Sequence, residues 1–118
     1  MASEADKLNI LGNKIVLIAD AILVLAATTE ASAKDIEDSE SQKIASQLAD
    51  SLNITGAWIE LLGDYILLQA AESELEENIK SGETFDVKSA ELNIAVAQAQ
   101  VIIDFIQAQL AEGAASED

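Results

Sequence analysis

The chain has 118 residues, enough for one domain, and half of them are hydrophobic, which excludes a disordered protein. Its 22 acidic residues outnumber 6 lysines, with no arginine, and the resulting net charge of −16 argues against nucleic acid and anionic lipid as partners. Neither histidine nor cysteine occurs, which excludes disulfides and any catalytic or metal site that needs those side chains.

Helix is the expected secondary structure throughout the chain. Proline is absent, glycine occurs only five times, and alanine, leucine and glutamate are abundant. The aromatic residues are one Trp, one Tyr and two Phe, so the core must be aliphatic and rich in alanine. Such a core suits closely packed helices.

Three segments of the chain repeat one pattern. They cover residues 8–30, 52–74 and 92–114, and each opens with Leu-Asn-Ile. Repeats of this length indicate one supersecondary unit used several times, and such units bury their apolar faces against one another. We therefore predict a single helical domain over residues 1–118.

The first helix is predicted over about 3–29, with Ser3 and Asp6 as capping residues at its start. It carries aliphatic residues at heptad spacing, which predicts a seam packed against neighbouring helices. The members of this seam are Leu8, Leu11, Ile15, Ile18, Ile22 and Leu25.

The second helix is predicted over about 39–79, where Ser39 and Gln42 fit a capping box. At 1.5 Å per residue it would be on the order of 60 Å long. The alternative is a kink near 53–56, which contains the poor helix formers Thr and Gly and would divide the bundle into four helices.

The third helix is predicted over about 85–112, after Gly82 as a left-handed C-cap of the second helix. Gly113 is predicted to end it, which leaves 113–118 as a frayed tail. Short connections make sequence neighbours antiparallel, so the predicted fold is all-α, an antiparallel bundle of three long helices.

Self-association is predicted because the second helix is longer than its neighbours and leaves apolar side chains uncovered. A homodimer is the simplest way to cover them. The predicted interface residues are Ile15, Ile18, Ile22, Leu25, Ile44, Leu48, Trp58, Leu67 and Leu75.

Each repeat also carries an asparagine and an aspartate on the same side of its predicted helix, and we call each such pair a polar line. These lines are Asn9 with Asp20, Asn53 with Asp64, and Asn93 with Asp104. Exposure to solvent, or a polar edge between packed helices, is the ordinary explanation for such carboxylates. The alternative is that the aspartates converge in a dry interface, where they would have raised pKa values or hold a cation. Asp20, Asp64 and Asp104 are thus the metal-ligand candidates, and no cofactor is predicted.

A motif within the repeats resembles a known group of proteins. Residues 12–15 read Gly-Asn-Lys-Ile and residues 56–59 read Gly-Ala-Trp-Ile, whereas residues 96–99 depart from the motif with Val-Ala-Gln-Ala. The first two are similar to the Gly-Asn-Trp-Ile repeats of short helical proteins of unknown function from spore-forming Gram-positive bacteria. The resemblance spans the three repeats and implies a helical bacterial protein, without an activity.

The function predicted from these features is a structural or protein-interaction module that self-associates and offers a helix groove to a protein partner. It is predicted to be non-enzymatic, since no pair of nucleophile and base can be proposed. An alternative is a small helical-hairpin protein exported without a cleaved signal peptide, and a third is a cation-binding bundle lined by carboxylates. The N-terminus is acidic, and the most apolar run, 15–27, is too short to cross a bilayer. We therefore expect a cytoplasmic or non-classically exported protein with neither a signal peptide nor a transmembrane span.

Salt is expected to stabilise the fold. With a net charge of −16, the acidic side chains repel one another in any compact state of the chain. Raising the ionic strength from about 0.01 to 0.15 M shortens the Debye length from about 30 to 8 Å and weakens this repulsion. Thermal melting followed by circular dichroism should show a rising Tm over that range. A falling Tm would contradict the expectation.

Overall fold

Three long helices make up the protein, which is described by a computed structural model covering residues 2–82 and 84–116, with Phe85 by its backbone alone. Their bounds are Glu4–Ala33 for α1, Ser39–Ser81 for α2 and Thr84–Ser116 for α3. No strand occurs in the part of the chain so described. The prediction of an all-α bundle of three long helices is confirmed.

α1 and α2 each begin at an N-cap residue whose side chain accepts hydrogen bonds from the first turn of the helix. The Ser3 hydroxyl accepts from the Asp6 N–H at 3.1 Å and the Asp6 carboxylate accepts from the Ser3 N–H at 3.3 Å, the reciprocal pair of a capping box. The N-cap of α2 is Asp38, so the predicted capping box of Ser39 and Gln42 is wrong. The Asp38 carboxylate accepts from both the hydroxyl and the N–H of Ser41, and these bonds lower its pKa.

One of the two glycines that were predicted to end helices does so, and the other does not. Gly82 has φ of 76° and its N–H donates to the carbonyls of Asn78 and Ile79, as predicted for a left-handed C-cap. Gly113 does not end α3, because the alanines that follow it are strong helix formers and the helix continues to Ser116. Of the predicted tail, 113–116 is therefore helical, and 117–118, like Glu83 of the second connection, lie outside the described residues.

α2 is continuous through residues 53–56, so the four-helix alternative is not realised. Gly56 serves packing instead. A Cβ atom there would lie 2.8 Å from the Leu23 side chain of α1, closer than van der Waals contact permits. The residue that suggested a kink is small because another helix approaches it.

α2 lies between its two neighbours. α1 and α3 both pack along it, whereas no Cα atom of α1 comes within 8 Å of one in α3 among the described residues. The Cα positions extend over 65 × 28 × 15 Å. The bundle is therefore an elongated layer around α2, and the side on which α1 and α3 face each other is open. We call this side the trough.

The contact between α1 and α2 is made by small residues at heptad spacing. They are Ala5, Gly12, Ala19, Ala26 and Ala33 of α1, and Ala49, Gly56, Gly63 and Ala70 of α2, all buried. Small side chains let two backbones approach closely, and a Cβ on Gly63 would stand 3.0 Å from the Val16 nitrogen. The α1–α2 seam is thus built from Gly and Ala.

Only half of the predicted aliphatic seam of α1 packs within the chain. Leu8, Ile15 and Ile22 are partly buried, and Ile22 Cγ2 would lie 3.2 Å from a Cβ on Gly56. Leu11, Ile18 and Leu25 are 48%, 54% and 52% exposed, and Ile102 of the third repeat is 61% exposed. The prediction was wrong for the exposed half of the seam, because α1 meets α2 through its Gly and Ala row, whose small side chains allow a closer contact than bulky ones would. Heptad spacing does describe the contact between α1 and α2, but on the side of each helix that carries the Gly and Ala row.

The contact between α2 and α3 uses a second heptad row of small residues. It consists of Ala57, Asp64 and Ala71 on α2, and Ala90, Ala97, Asp104 and Ala111 on α3. Asp64 and Asp104 are buried, and each takes a place that the row otherwise gives to alanine. An aspartate pair therefore interrupts this seam near its middle.

Candidate carboxylate site

Each of the three polar lines has at least one residue that lines the trough. One cavity of ≈ 360 Å³ has polar lining from all three helices, namely Asn9, Asn13, Asp64, Glu74, Asn93 and Gln100. A second, of ≈ 380 Å³, includes Asn53, Glu60 and Gln107. At about 100° per residue, the asparagine and aspartate of each repeat share one helix side, which explains why the lines meet once the helices pack.

Two of the three repeated aspartates come together, and a glutamate joins them. Asp104 is 1% exposed and Asp64 is 9% exposed, whereas Asp20 is exposed. Glu60, Asp64 and Asp104 each offer an oxygen, and these oxygens lie within 4.8 Å of one another. We call these three residues the carboxylate triad.

Glu60 was not among the sequence candidates, although the sequence carried a signal for it. It precedes Asp64 by four residues, so both side chains lie on one side of α2. The repeat analysis missed Glu60 because its counterparts are Val16 and Gln100, which share no charge with it. Helical spacing from Asp64 would have identified it.

The hydrogen bonds of Asp104 are incomplete. Its Oδ1 accepts from Gln100 Nε2 at 3.1 Å. Its Oδ2 is buried and receives no hydrogen bond from the described residues when Asp64 is ionised. A buried carboxylate oxygen left in this way is costly, so a proton or a cation must compensate it.

The electrostatic environment favours protonation of Asp64 and Glu60. Burial raises the pKa of Asp64 to about 7, and it is helped by the hydrogen bond that protonated Asp64 donates to Asp104 and by the charges of Asp104, Glu60 and Asp20. Burial, followed by the charges of Asp104 and Asp20, also raises the pKa of Glu60. The charges that act on Asp64 are all negative.

An apolar groove lies between α2 and α3 on the side away from the trough. It has a volume of ≈ 540 Å³ and is lined by Trp58, Leu61, Leu62, Tyr65, Val101, Ile102 and Phe105. Trp58 packs edge-on against Phe105 and its Nε1 donates to Glu112 Oε1 at 2.6 Å. We call this surface the outer groove.

The predicted interface residues fall into two groups. Ile18, Leu25, Ile44 and Leu48 are exposed and available to a partner. The others, Ile15, Ile22, Trp58, Leu67 and Leu75, are partly buried. Leu67 packs over Gly12 and lines the trough, so the prediction that it lies at an interface between copies conflicts with its contacts within the chain.

Two helical stretches are long and apolar enough to cross a bilayer by length and composition alone, namely Glu4–Ala33 and Asp86–Ser116. The sequence argument against a span was based on the run 15–27, which is shorter than a full span, and on the polar residues Asn9, Asn13 and Lys14 that a longer window includes. Length alone therefore does not exclude a membrane for α1 or α3.

Comparisons with protein-family models, curated proteins and solved structures give no match for this chain. The resemblance to repetitive helical bacterial proteins stays a prediction.

Proposed function

We propose that the protein is a non-enzymatic, self-associating helical module that acts as a homodimer and presents its polar trough to solvent. The observation that carries this proposal is the exposed heptad row of Leu11, Ile18 and Leu25 on α1. Such a row is the usual contact surface of a coiled-coil helix, and among the described residues no other helix covers it.

The apolar surface continues beyond that row. Ile10, Leu17 and Val24 form a neighbouring row and are also exposed. Leu11 lies roughly opposite Asp20 on α1 at 100° per residue, so the apolar rows and the trough occupy different sides of the layer. A contiguous apolar face of this kind is a site of association in a water-soluble protein.

A second copy fits this face better than a bilayer does. The net charge of −16 is repelled by anionic lipid, and the six lysines give little compensation. The single Trp and the single Tyr lie in the middle of α2, whereas spanning helices concentrate these residues at their ends. Asp20 and Asp104 would place a carboxylate near the centre of each spanning stretch.

The expected mass in solution is twice the chain mass of 12.5 kDa, and replacing Ile18 by Glu should lower it to that of one chain. A glutamate in the aliphatic row would bury an unpaired charge at the interface, which weakens association by at least about tenfold. Size-exclusion chromatography with light scattering at micromolar concentration measures this.

Asn9→Glu is the matched control, because it adds the same charge to the same helix on the trough side. This variant should stay dimeric. A monomeric wild-type protein at micromolar concentration would contradict the proposal, as would quantitative partition of the protein into lipid vesicles.

A further inference from the structure

The geometry points to a binding site for one hard divalent cation, of the calcium or magnesium class, formed by Glu60, Asp64 and Asp104 in the trough. This site does not depend on self-association, because all three ligands belong to one chain. It also differs from the sequence expectation, in which Asp20 was the third candidate. Asp20 is exposed and is not a member of the triad.

The spacing of the oxygens fits a single ion. Calcium binds oxygen at about 2.3–2.6 Å, so two of its ligands can stand at most about 5 Å apart. One oxygen each from Glu60, Asp64 and Asp104 meets this condition, since the three lie within 4.8 Å of one another. Carboxylate oxygens are also the ligand type that hard divalent cations prefer.

A second observation identifies where such an ion would be needed. Asp104 is 1% exposed, and its Oδ2 has no hydrogen-bond donor among the described residues apart from a protonated Asp64. An acidic cluster on a surface would be satisfied by water, whereas this oxygen is enclosed in the α2–α3 seam. A cation bound to Oδ2 satisfies it and compensates the charge of its two neighbours.

A hydrogen bond from Gln100 already holds the other carboxylate oxygen of Asp104 in place. Gln100 Nε2 donates to Oδ1 at 3.1 Å, which fixes the carboxylate plane and leaves Oδ2 as the free ligand atom. Hydrogen bonds of this kind orient the side chains that bind the ion in metal sites. The side chains of the triad come from two packed helices, so their positions are set by the fold before an ion binds.

Access and hydration are provided by the trough. Asp64 lines the cavity of ≈ 360 Å³ and Glu60 lines the cavity of ≈ 380 Å³. Three carboxylate oxygens are fewer than the six or more that either ion takes, and water entering by these cavities supplies the rest. The charges of the triad and Asp20 attract a cation into the trough.

Isothermal titration of the full chain at pH 8 with CaCl₂, and separately with MgCl₂, tests the site. We expect saturable binding with one ion per chain for at least one of the two salts, together with a rise in Tm. NaCl at equal ionic strength should produce a smaller rise, because it only screens the net charge. A Tm response equal to that of NaCl, or titration without saturation, would overturn the proposal.

Two variants assign the binding to the triad. Asp104→Asn and Glu60→Gln should each weaken binding by at least about tenfold, since substituting even a residue that only hydrogen-bonds to a metal ligand costs about that much. The control is Glu77→Gln, which removes the same charge as Glu60→Gln from an exposed position on the same helix, α2. Circular dichroism verifies that each variant is folded. Equal affinity in Asp104→Asn, Glu60→Gln and the wild type would place the ion elsewhere and contradict the proposal.

Discussion

Replacing Asp104 by asparagine is expected to make the folded protein more stable at pH 8 by about 1–3 kcal/mol, the usual cost of a buried polar group without a partner. The wild-type protein encloses the Asp104 carboxylate beside Asp64 and Glu60, with Oδ2 lacking a donor when Asp64 is ionised. The carboxamide removes one negative charge and supplies an N–H donor to Asp64. An isosteric substitution therefore relieves repulsion without opening a cavity.

The same substitution should flatten the pH dependence of stability. The pKa of Asp64 in the folded protein is about 7, above the ordinary value near 3.8, so the folded state binds this proton more tightly than the unfolded chain does. The resulting stability is fully present below about pH 4 and is lost as the pH rises through 7. Without the Asp104 charge the pKa of Asp64 falls, and less stability is lost over that interval.

Urea unfolding at fixed protein concentration between pH 5 and pH 8, with a chelator present, measures both effects. The wild-type protein should lose stability as the pH rises, and Asp104→Asn should lose less, so that the two differ most at pH 8. Asp20→Asn, at the same offset of the first repeat but exposed, should change stability by no more than about 0.5 kcal/mol. Parallel pH profiles for the wild type and Asp104→Asn would show that the pair is not coupled.

The repeat pattern predicted the helices and marked the aspartates, but the packing faces depended on a finer feature. Each repeat has two adjacent heptad rows, one position apart, and a row can form a close helix contact where its residues are small. α2 carries both, Gly56 with Gly63 in one and Ala57 with Asp64 in the other. It uses the first against α1 and the second against α3.

The outer helices could each use only one of these rows. In α1 the first row is Gly12, Ala19 and Ala26, which packs more closely than a row containing Asp20. In α3 the first row is replaced by bulky Val96, Ile103 and Leu110, so it must pack through Ala97, Asp104 and Ala111. These substitutions place Asp104 inside a seam and leave Asp20 at the surface.

This choice of rows also explains why the triad was only partly predictable. Equal offsets showed that the aspartates could converge, and they do so only for the two helices that share the second row. Because the aliphatic row dominated the hydrophobic pattern, it was assigned to packing within the chain, although it lies exposed at Leu11, Ile18 and Leu25. Hydrophobic periodicity identifies a contact face without saying whether the partner belongs to the same chain.

Replacing Gly63 by valine is expected to lower the free energy of unfolding by about 3 kcal/mol, the upper part of the range for overpacked cores. A Cβ at this position would lie 2.7 Å from Val16 Cγ2 and 3.0 Å from the Val16 backbone nitrogen, with the Gly12 carbonyl oxygen at 3.2 Å. Two of these three atoms are backbone, so a rotamer change cannot make room. α1 as a whole would have to move away from α2.

Two other glycines provide matched comparisons in the same urea unfolding series. Gly56→Val should cost less, because its nearest atoms belong to the Leu23 and Ile22 side chains, which can rotate. Gly113→Ala should stabilise the protein by about 0.5–1 kcal/mol, since open space surrounds this helical glycine and alanine is the better helix former. If Gly63→Val proved as stable as the wild type, the two helices could not be as close as a Gly and Ala seam requires. The exposed aliphatic row would then be free to pack within the chain, which would remove the main argument for a second copy.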